Sequence, residues 1–252
     1  MKPVDYLILG HGYTADVLIK SIALNEPDVL VKSTSRNDES KIYFDLKEPA
    51  SWSNLPEANN LVWTFPAEPL EVVKKFYEQT KNKFKNKVVI GSTSALEVKT
   101  KDEWVDENTN LDLSIERVKS ESFLMQKGYN LLLSSGIYGP KRNPVNWVRK
   151  GMVGKSSKFV NMIHVEDLCQ FILKTMNLPD EAQVLIASDN NPLTWFEIID
   201  ALEEAKIVES IPEKSSSRLS KRIRCDQSIN KLGIHLKHPN FIESVIKLNN
   251  ES

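Results

Sequence analysis

The chain has 252 residues, of which 40% are hydrophobic and 27% charged, and its formal net charge is −1. These values are typical of a globular protein, and a net charge near zero gives no reason to expect a nucleic-acid partner. The two cysteines, Cys169 and Cys225, form no paired motif, which favours a reducing, cytoplasmic location. The N-terminal residues do not resemble a signal peptide. No apolar run approaches the roughly 18 residues of a membrane span, so we expect no membrane association.

Strands and helices alternate along the first half of the sequence. In chain order, apolar runs and helical spacing predict a strand at 6–9, a helix at 14–24, strands at 29–33, 42–44 and 61–65, a helix at 70–77, a strand at 87–90, a helix at 113–126 and a strand at 130–134. This alternation favours a parallel sheet covered by helices on both faces. We therefore predict an α/β fold, a Rossmann-type doubly wound parallel sheet with a core of six strands.

The pattern is less regular after Gly136. We predict a helix at 144–150, a strand at 159–163, a helix at 165–176, a strand at 184–187, a helix at 194–205 with Thr194 as its N-cap, and a mobile loop at 213–220. Residues 1–140 would then form a dinucleotide-binding core, and residues 141–252 a smaller C-terminal substrate lobe packed on the same cleft. In open α/β sheets such a cleft lies beyond the carboxyl ends of the strands.

The strongest local motif is GHGYTA at residues 10–15, between a predicted strand and a predicted helix. In this G-x-G-x-x-A pattern, Gly10 permits a tight turn and Gly12 allows close approach of a pyrophosphate. The helix that begins near Tyr13 and Thr14 presents free N–H groups and the positive end of its dipole to an anion. A plain strand-to-helix turn is the alternative, but the context favours a dinucleotide.

The end of the second predicted strand bears on the choice between NAD and NADP. NAD sites usually place an acid there, where it binds the ribose hydroxyls. Here Ser35 and Arg36 occupy that position, and the first acid is Asp38. Because an arginine offers a planar fork of donors to a phosphate, the sequence favours NADP over NAD. The alternative is that Arg36 is a solvated turn residue.

Several segments, taken together and in order, resemble the extended short-chain dehydrogenase/reductase family, also called the NAD-dependent epimerase/dehydratases. The segments are 10–15, 45, 64–66, 90–94, 104–109, 135–140 and 160–168. The similarity spans nearly the whole chain and is strongest to the short, atypical members. It implies that Asp45 contacts the adenine and that Thr64 and Pro66 pass under the cofactor ribose. It also implies a small-molecule substrate such as a sugar or nucleotide sugar, and it makes the chain a candidate homodimer.

The catalytic helix departs from the family pattern. The family places Tyr-x-x-x-Lys there, in which the tyrosine moves a proton at the substrate oxygen. If Glu121 matches the family's glutamate, Leu113 stands at the tyrosine position and Arg117 at the lysine position. Leucine transfers no proton, and arginine can hold a ribose but is a poor base. The usual hydride-transfer mechanism is therefore in doubt.

Three hydroxyls remain as candidate catalytic groups. Thr93 and Ser94 are candidates for binding a substrate oxygen, with capping of the strand end as the alternative. Tyr138 is a candidate proton donor, although packing beside the cofactor is the favoured role. His164 is a candidate base, with a satisfied structural histidine favoured. We predict no metal site, because the histidines and cysteines form no ligand cluster and the spacing of His235 and His238 is a weak signal.

A basic run lies in the last part of the chain, with Arg218, Lys221, Arg222 and Arg224. It is either a contact for a phosphorylated substrate or a solvated face, and the solvated face is slightly favoured. Two functions from different classes stay open. The first is an NADP-dependent reductase, epimerase or dehydratase with an unusual proton donor. The second is a catalytically silent dinucleotide-binding sensor or scaffold.

Overall fold

The computed structural model describes residues 3–178, 181–214 and 219–251. The chain forms two compact units. The first comprises residues 1–95, 111–133 and 169–185, and the second comprises residues 96–110, 134–168 and 186–252. This division differs from a single boundary at residue 140, because each unit draws on segments from both sides of it.

The described ranges contain thirteen strands and eight α-helices. The strands are β1 (Val4–Leu9), β2 (Val31–Ser35), β3 (Ile42–Tyr43), β4 (Ala58–Trp63), β5 (Phe84–Ser92), β6 (Glu103–Val105), β7 (Asn130–Ser134), β8 (Gly136–Tyr138), β9 (Phe159–Val160), β10 (Met162–His164), β11 (Val184–Ala187), β12 (Leu193–Thr194) and β13 (Lys221–Ile223). The helices are α1 (Tyr13–Asn25), α2 (Leu70–Thr80), α3 (Glu116–Gln126), α4 (Val145–Arg149), α5 (Val165–Thr175), α6 (Trp195–Glu204), α7 (Asp226–Leu232) and α8 (Phe241–Asn250). Short 3₁₀ turns lie at Pro49–Asn54 and Thr93–Ala95.

A seven-stranded sheet with the order β11-β7-β5-β4-β1-β2-β3 confirms the predicted Rossmann-type fold. The four pairings among β1 to β5 are all parallel, and β1 aligns Leu7 with Lys32 of β2 and with Leu61 of β4. The predicted count of six strands was one too low. The seventh strand, β11, comes from the segment predicted to belong to the substrate lobe. The strand order reverses between β1 and β4, and this switch point is where such sheets bind ligands.

The first unit owes its core to strands whose apolar residues are continuous rather than alternating. Leu7, Ile8 and Leu9 of β1 are fully buried, as expected for a strand covered on both faces. An aromatic cluster adds to this core, with ring centroids 5.4–6.3 Å apart, and it contains Phe44, Trp52, Trp63, Phe65 and Phe76. Buried aromatic rings in tilted and edge-on pairs stabilise a core beyond the area they bury.

The second unit has its own core and three small two-stranded sheets, which pair β8 with β10, β9 with β12, and β6 with β13. One cluster of buried side chains in this core consists of Tyr138, Val145, Val148, Met162, Trp195, Ile198, Ile199, Leu202, Phe241 and Val245. The predicted N-cap of α6 is confirmed, because the Thr194 side chain accepts from the N–H of Glu197 and Glu197 in turn accepts from the N–H of Thr194. This reciprocal pair is a capping box.

The predicted element positions agree best where apolar periodicity is strong. β7 and β11 match their predicted bounds, whereas β2 lies two residues later than predicted and α3 begins at Glu116 rather than at Leu113. No pattern in the sequence predicted β6, β8, β12, β13, α7 or α8. Four residues of the predicted mobile loop, 215–218, lie outside the described residues. Across the described ranges, we find no helix that is both long and apolar enough to cross a membrane.

Candidate functional site

A cavity of about 480 Å³ opens at the carboxyl ends of β1, β2 and β4, within the first unit. It contains seven of the predicted cofactor-binding residues, namely Gly10, Gly12, Ser35, Arg36, Asp45, Thr64 and Pro66. Its other lining residues are His11, Thr34, Asn37, Phe44, Leu46, Lys47, Phe65 and Glu68. The volume lies within the range of cofactor and small-molecule sites.

The glycine turn forms one wall of this cavity, and its two glycines have different roles. Gly10 has φ +88°, and a Cβ there would lie 2.9 Å from the Phe65 ring and from Thr64 Oγ1. A Cβ at Gly12 would have no atom within 4 Å. Gly10 is therefore required by the fold, whereas the absence of a side chain at Gly12 keeps space open in the cavity.

The N-terminus of α1 comes directly after this turn. Gly12 is the N-cap and provides no side-chain cap, and Tyr13 and Thr14 are the first two helical residues. The first N–H groups of a helix have no partner inside it, so an uncapped N-terminus beside a cavity is suited to an anion. The acid in the first turn, Asp16, forms an ion pair with Lys20 at 2.9 Å.

The end of β2 contributes a hydroxyl and a cation to the cavity. Ser35 Oγ accepts the N–H groups of Asn37 and Asp38, both at 3.1 Å, so this hydroxyl also shapes the turn. The Arg36 side chain is 69% exposed, and its Nη1 lies 4.0 Å from Asp45 Oδ2. So exposed a pair at this distance contributes little stability, which leaves the guanidinium available to a ligand.

The end of β4 is fixed against the end of β1. Thr64 Oγ1 donates to the carbonyl oxygens of Leu9 at 2.9 Å and Gly10 at 3.2 Å. On the other side of the turn, Thr34 Oγ1 accepts the N–H of Gly10 at 2.9 Å. These side-chain contacts with the backbone hold the glycine turn in one position before any ligand binds, which lowers the cost of binding.

The end of β5 carries the predicted serine-threonine segment and is occupied by protein groups. Thr93 is buried and Ser94 is exposed, and Ser94 Oγ donates to Ser92 Oγ at 3.1 Å. Arg117 of α3 donates through Nη2 to Ser94 Oγ at 3.3 Å. Its Nε lies 3.4 Å from Glu121 Oε1. The structure thus links Ser92, Ser94, Arg117 and Glu121 in one polar chain.

Glu121 is the most unusual member of this chain, because its side chain is fully buried. Burial raises the pKa of its carboxyl to about 7, although the neighbouring guanidinium of Arg117 lowers it, and Glu68 raises it further. The carboxylate packs under β5, since a Cβ at Gly91 would lie 3.1 Å from both of its oxygens. Leu113, for which the sequence predicted the tyrosine position of a similar family, precedes α3 and is 52% exposed.

Tyr138 lies in the core of the second unit and is fully buried. Its ring packs edge-on against His164 at 5.1 Å and Phe241 at 4.9 Å. Burial raises the pKa of its phenol, and the carboxylates of Asp189 and Asp167 raise it further. A buried phenol with a raised pKa is a poor proton donor, so this environment favours the packing role.

Two arginines in the described part of the basic run contact aromatic rings, and one of them, Arg224, is exposed. The Arg222 guanidinium lies 4.8 Å from the Trp104 ring and 5.3 Å from the Phe159 ring, and Arg224 lies 4.9 Å from Trp104. Arg222 Nε also donates to the carbonyl of Asp102 at 2.9 Å. Cation–π contacts of this kind stabilise a surface. Arg218 lies outside the described residues.

Sequence spacing did not reveal one group of side chains in the second unit. His164, Glu166 and His238 bring one ligand atom each to within 4.8 Å of one another. The separation of 72 residues between Glu166 and His238 hides this group in the sequence. It contrasts with the prediction that the histidines form no ligand cluster. The cavity in the first unit also contains residues that the motifs did not predict, such as His11 and Lys47. These residues lie close in the sequence to predicted ones.

Comparison with known proteins gives matches of structure but not of sequence. The sequence matches no protein-family model and no curated protein. A protein of unknown function from Silicibacter pomeroyi DSS is 22% identical, with a TM-score of 0.75 over 98% of this chain and 99% of that one. The ADP-L-glycero-D-manno-heptose-6-epimerase of Helicobacter pylori is 14% identical, with a TM-score of 0.74 over 99% of this chain and 96% of that one.

A third similar structure is the UDP-glucuronic acid 4-epimerase of Bacillus cereus in complex with NAD. It is 12% identical, with a TM-score of 0.74 over 98% of this chain and 97% of that one. At these identities the likeness establishes the fold. Structures that share the fold thus include sugar-nucleotide epimerases.

Proposed function

We propose that this chain binds a nicotinamide dinucleotide in the cavity at the carboxyl ends of β1, β2 and β4. The observation that carries this proposal is the open space at Gly12 beside the uncapped N-terminus of α1. A diphosphate there would accept hydrogen bonds from backbone N–H groups of the first helical turn, at the positive end of the helix dipole. The fold, shared with an epimerase in complex with NAD, supports the same assignment.

The residues that line the cavity would hold the adenosine and diphosphate part of such a cofactor, and Arg117 lies outside that lining. Gly10, Gly12 and the first turn of α1 would hold the diphosphate. Asp45 would meet the adenine, and Thr64 and Pro66 would border a ribose. Arg117, oriented by Glu121 and Ser94, is our candidate for the nicotinamide ribose. When bound, the nicotinamide supplies a hydride acceptor or donor.

We further propose that NADP is preferred over NAD. The end of β2 carries Ser35 and Arg36 in the cavity wall, and Lys47 is a second cation among the lining residues. A 2′-phosphate would gain charge-assisted hydrogen bonds from Arg36. The ribose of NAD would find no carboxylate at the position where NAD sites usually provide one.

In our proposal, this chain resembles epimerases and reductases that act on a sugar or nucleotide sugar, but it catalyses such a reaction only slowly. Leu113 offers no proton, and Arg117, which contacts Glu121 and Ser94, is a poor base. Thr93 and Ser94 can orient a substrate oxygen by hydrogen bonding. General acid–base catalysis is typically worth about 10²–10⁴-fold, so its loss leaves slow turnover. The polar chain at the end of β5 therefore also favours the second candidate, a catalytically silent dinucleotide sensor.

The binding proposal is tested by isothermal calorimetry with NADPH and NADH on the purified full chain. We expect one equivalent of NADPH to bind, with a Kd at least about tenfold below that of NADH, because a hydrogen bond to a charged group contributes roughly 1.5–3 kcal/mol. Absence of binding by both cofactors would overturn the proposal. Equal affinities would overturn the NADP preference alone.

The chemistry is tested by single-turnover and steady-state assays with NADPH and a panel of carbonyl compounds and nucleotide sugars. We expect binding without rapid turnover. If slow turnover is seen, Thr93→Ala should reduce it further, whereas Tyr138→Phe should leave it unchanged because the phenol is buried in a core. Rapid turnover that survives both substitutions would show that another residue performs the proton transfer.

A further inference from the structure

The second unit contains a cluster of ligating side chains that the proposed function does not use. His164 ends β10, Glu166 lies in the first turn of α5, and His238 lies in the segment before α8. His238 Nε2 lies 3.4 Å from Glu166 Oε2. The two imidazole rings stack with their centroids 3.5 Å apart and their planes 31° apart.

We propose that His164, Glu166 and His238 form a binding site for a divalent transition-metal ion of the zinc type. Two imidazoles and one carboxylate are a donor set that zinc uses in proteins, with remaining positions filled by water. The ligand atoms already lie within 4.8 Å of one another. Imidazole donors favour zinc, copper and nickel over magnesium and calcium, which prefer oxygen ligands.

The surrounding structure orients two of these ligands. Asp167 accepts the backbone N–H groups of Lys237 at 2.8 Å and His238 at 3.0 Å, which fixes the segment carrying His238 against the start of α5. His164 is almost fully buried, and the Tyr138 ring packs edge-on against it. Contacts that hold metal ligands in place account for a large share of metal affinity.

One existing hydrogen bond at His164 would have to change when a metal binds. The N–H of Glu166 donates to Nδ1 of His164 at 3.3 Å. This contact is long for a hydrogen bond, so rearranging it to admit a metal costs little.

The test is a titration of the tag-free full chain with Zn²⁺ in competition with a chromophoric chelator, repeated with Co²⁺ to record its visible spectrum. We expect one equivalent of Zn²⁺ and a Co²⁺ spectrum typical of low coordination number. Because the loss of an orienting residue alone typically costs 10–100-fold in metal affinity, Glu166→Gln and His238→Gln should each weaken binding by about 100-fold. His235→Gln is the matched control, since His235 is exposed and outside the cluster.

Glu166 is partly exposed, so its substitution keeps the test decisive even if the His238 variant folds poorly. Dinucleotide binding by the same variants is measured in parallel and should stay unchanged. Failure to bind one equivalent of Zn²⁺, or binding that is equal in wild type and Glu166→Gln, would overturn the proposal. Neither result would bear on the proposed dinucleotide site.

Discussion

The ends of β1 and β5 lie in the same sheet of the first unit, yet the segments after them differ. After β1, the chain turns through Gly10 and Gly12 and leaves a cavity bordered by the uncapped start of α1. After β5, Ser92, Ser94, Arg117 and Glu121 contact one another within the protein, although the two buried carboxyl oxygens of Glu121 accept no hydrogen bond. One strand end is open to a ligand, whereas the other is occupied by the protein's own polar groups.

Because of this difference, the requirements for binding a dinucleotide are met after β1, whereas the requirements for proton transfer are not met after β5. A dinucleotide site needs backbone N–H groups and empty space, and both are present after β1. Proton transfer needs a titratable group placed at a substrate. After β5, the exposed Leu113 offers no titratable group, and the buried carboxyl of Glu121 lies 3.4 Å from Arg117. If the two strand ends are independent, a substitution at one of them should leave the properties of the other unchanged.

The largest effect is expected from Gly12→Val, which adds a side chain where a Cβ has no neighbour within 4 Å. The space around that Cβ leaves room for a larger side chain in the cavity. We expect NADPH binding to weaken by about 100-fold or more, which corresponds to about 2.7 kcal/mol. The free energy of unfolding should change by less than about 1 kcal/mol. Calorimetry and urea unfolding measure the two quantities.

Gly10→Ala is the matched control, with the opposite pattern. Its φ of +88° and the 2.9 Å contacts of a Cβ with Thr64 and Phe65 predict a loss of about 1–3 kcal/mol in stability. If Gly12→Val unfolds the protein, or if it folds and still binds NADPH with wild-type affinity, the end of β1 is not an open ligand site.

The fold and the site at β1 could be predicted because their signals are local. The glycine turn lies between a run of apolar residues and an amphipathic helix, and the reasons for each glycine act over a few residues. The motif also predicted separate roles for the two glycines, a tight turn at Gly10 and room for a pyrophosphate at Gly12. It did not reveal the contacts that a Cβ at Gly10 would make with Phe65 and with Thr64, which is 54 residues away.

The remaining features depend on contacts that sequence periodicity does not contain. The seventh strand, β11, was predicted as a strand but assigned to the wrong region, because strand order is a property of the whole sheet. The burial of Tyr138 results from packing against His164 and Phe241. The cluster with His238 forms only because Asp167 binds the backbone of a distant segment.

A smaller effect is expected at the end of β5, from Glu121→Gln. Burial raises the pKa of Glu121 to about 7, so between its unfolded value near 4.5 and that folded value the native state holds more protons than the unfolded state. The contribution of Glu121 to the free energy of unfolding is therefore largest at low pH and is lost as the pH rises through about 7. Glutamine does not ionise, so the variant does not lose stability in this way. We expect the variant to gain stability relative to wild type between about pH 5 and 7, by up to about 1.4 kcal/mol per pH unit.

Urea unfolding at several pH values measures this difference, and Glu116→Gln supplies a control of opposite sign on the same helix. A hydrogen bond from the backbone N–H of Leu70 lowers the pKa of the exposed Glu116. Its stabilising contribution is lost as the pH falls. A stability difference between Glu121→Gln and wild type that does not vary with pH would mean that Glu121 is ionised in the folded protein like an ordinary carboxyl. NADPH binding to Glu121→Gln tests the independence of the two strand ends, and a loss comparable to that of Gly12→Val would contradict it.

The smallest and most selective effect is expected from Arg36→Ala, which tests how the open end recognises its ligand. The Arg36 guanidinium is exposed, and its pair with Asp45 at 4.0 Å is too weak to be important for stability, so the variant should fold normally. Loss of a charged hydrogen bond to a 2′-phosphate should raise the Kd for NADPH about tenfold. The Kd for NADH should not change, because NADH lacks that phosphate.

Lys32→Ala is the control for the loss of charge, because it removes a cation from the same strand but outside the cavity. Equal weakening of both cofactors would place Arg36 near the shared diphosphate or ribose, and an unchanged Kd for both would mean that Arg36 is a solvated turn residue.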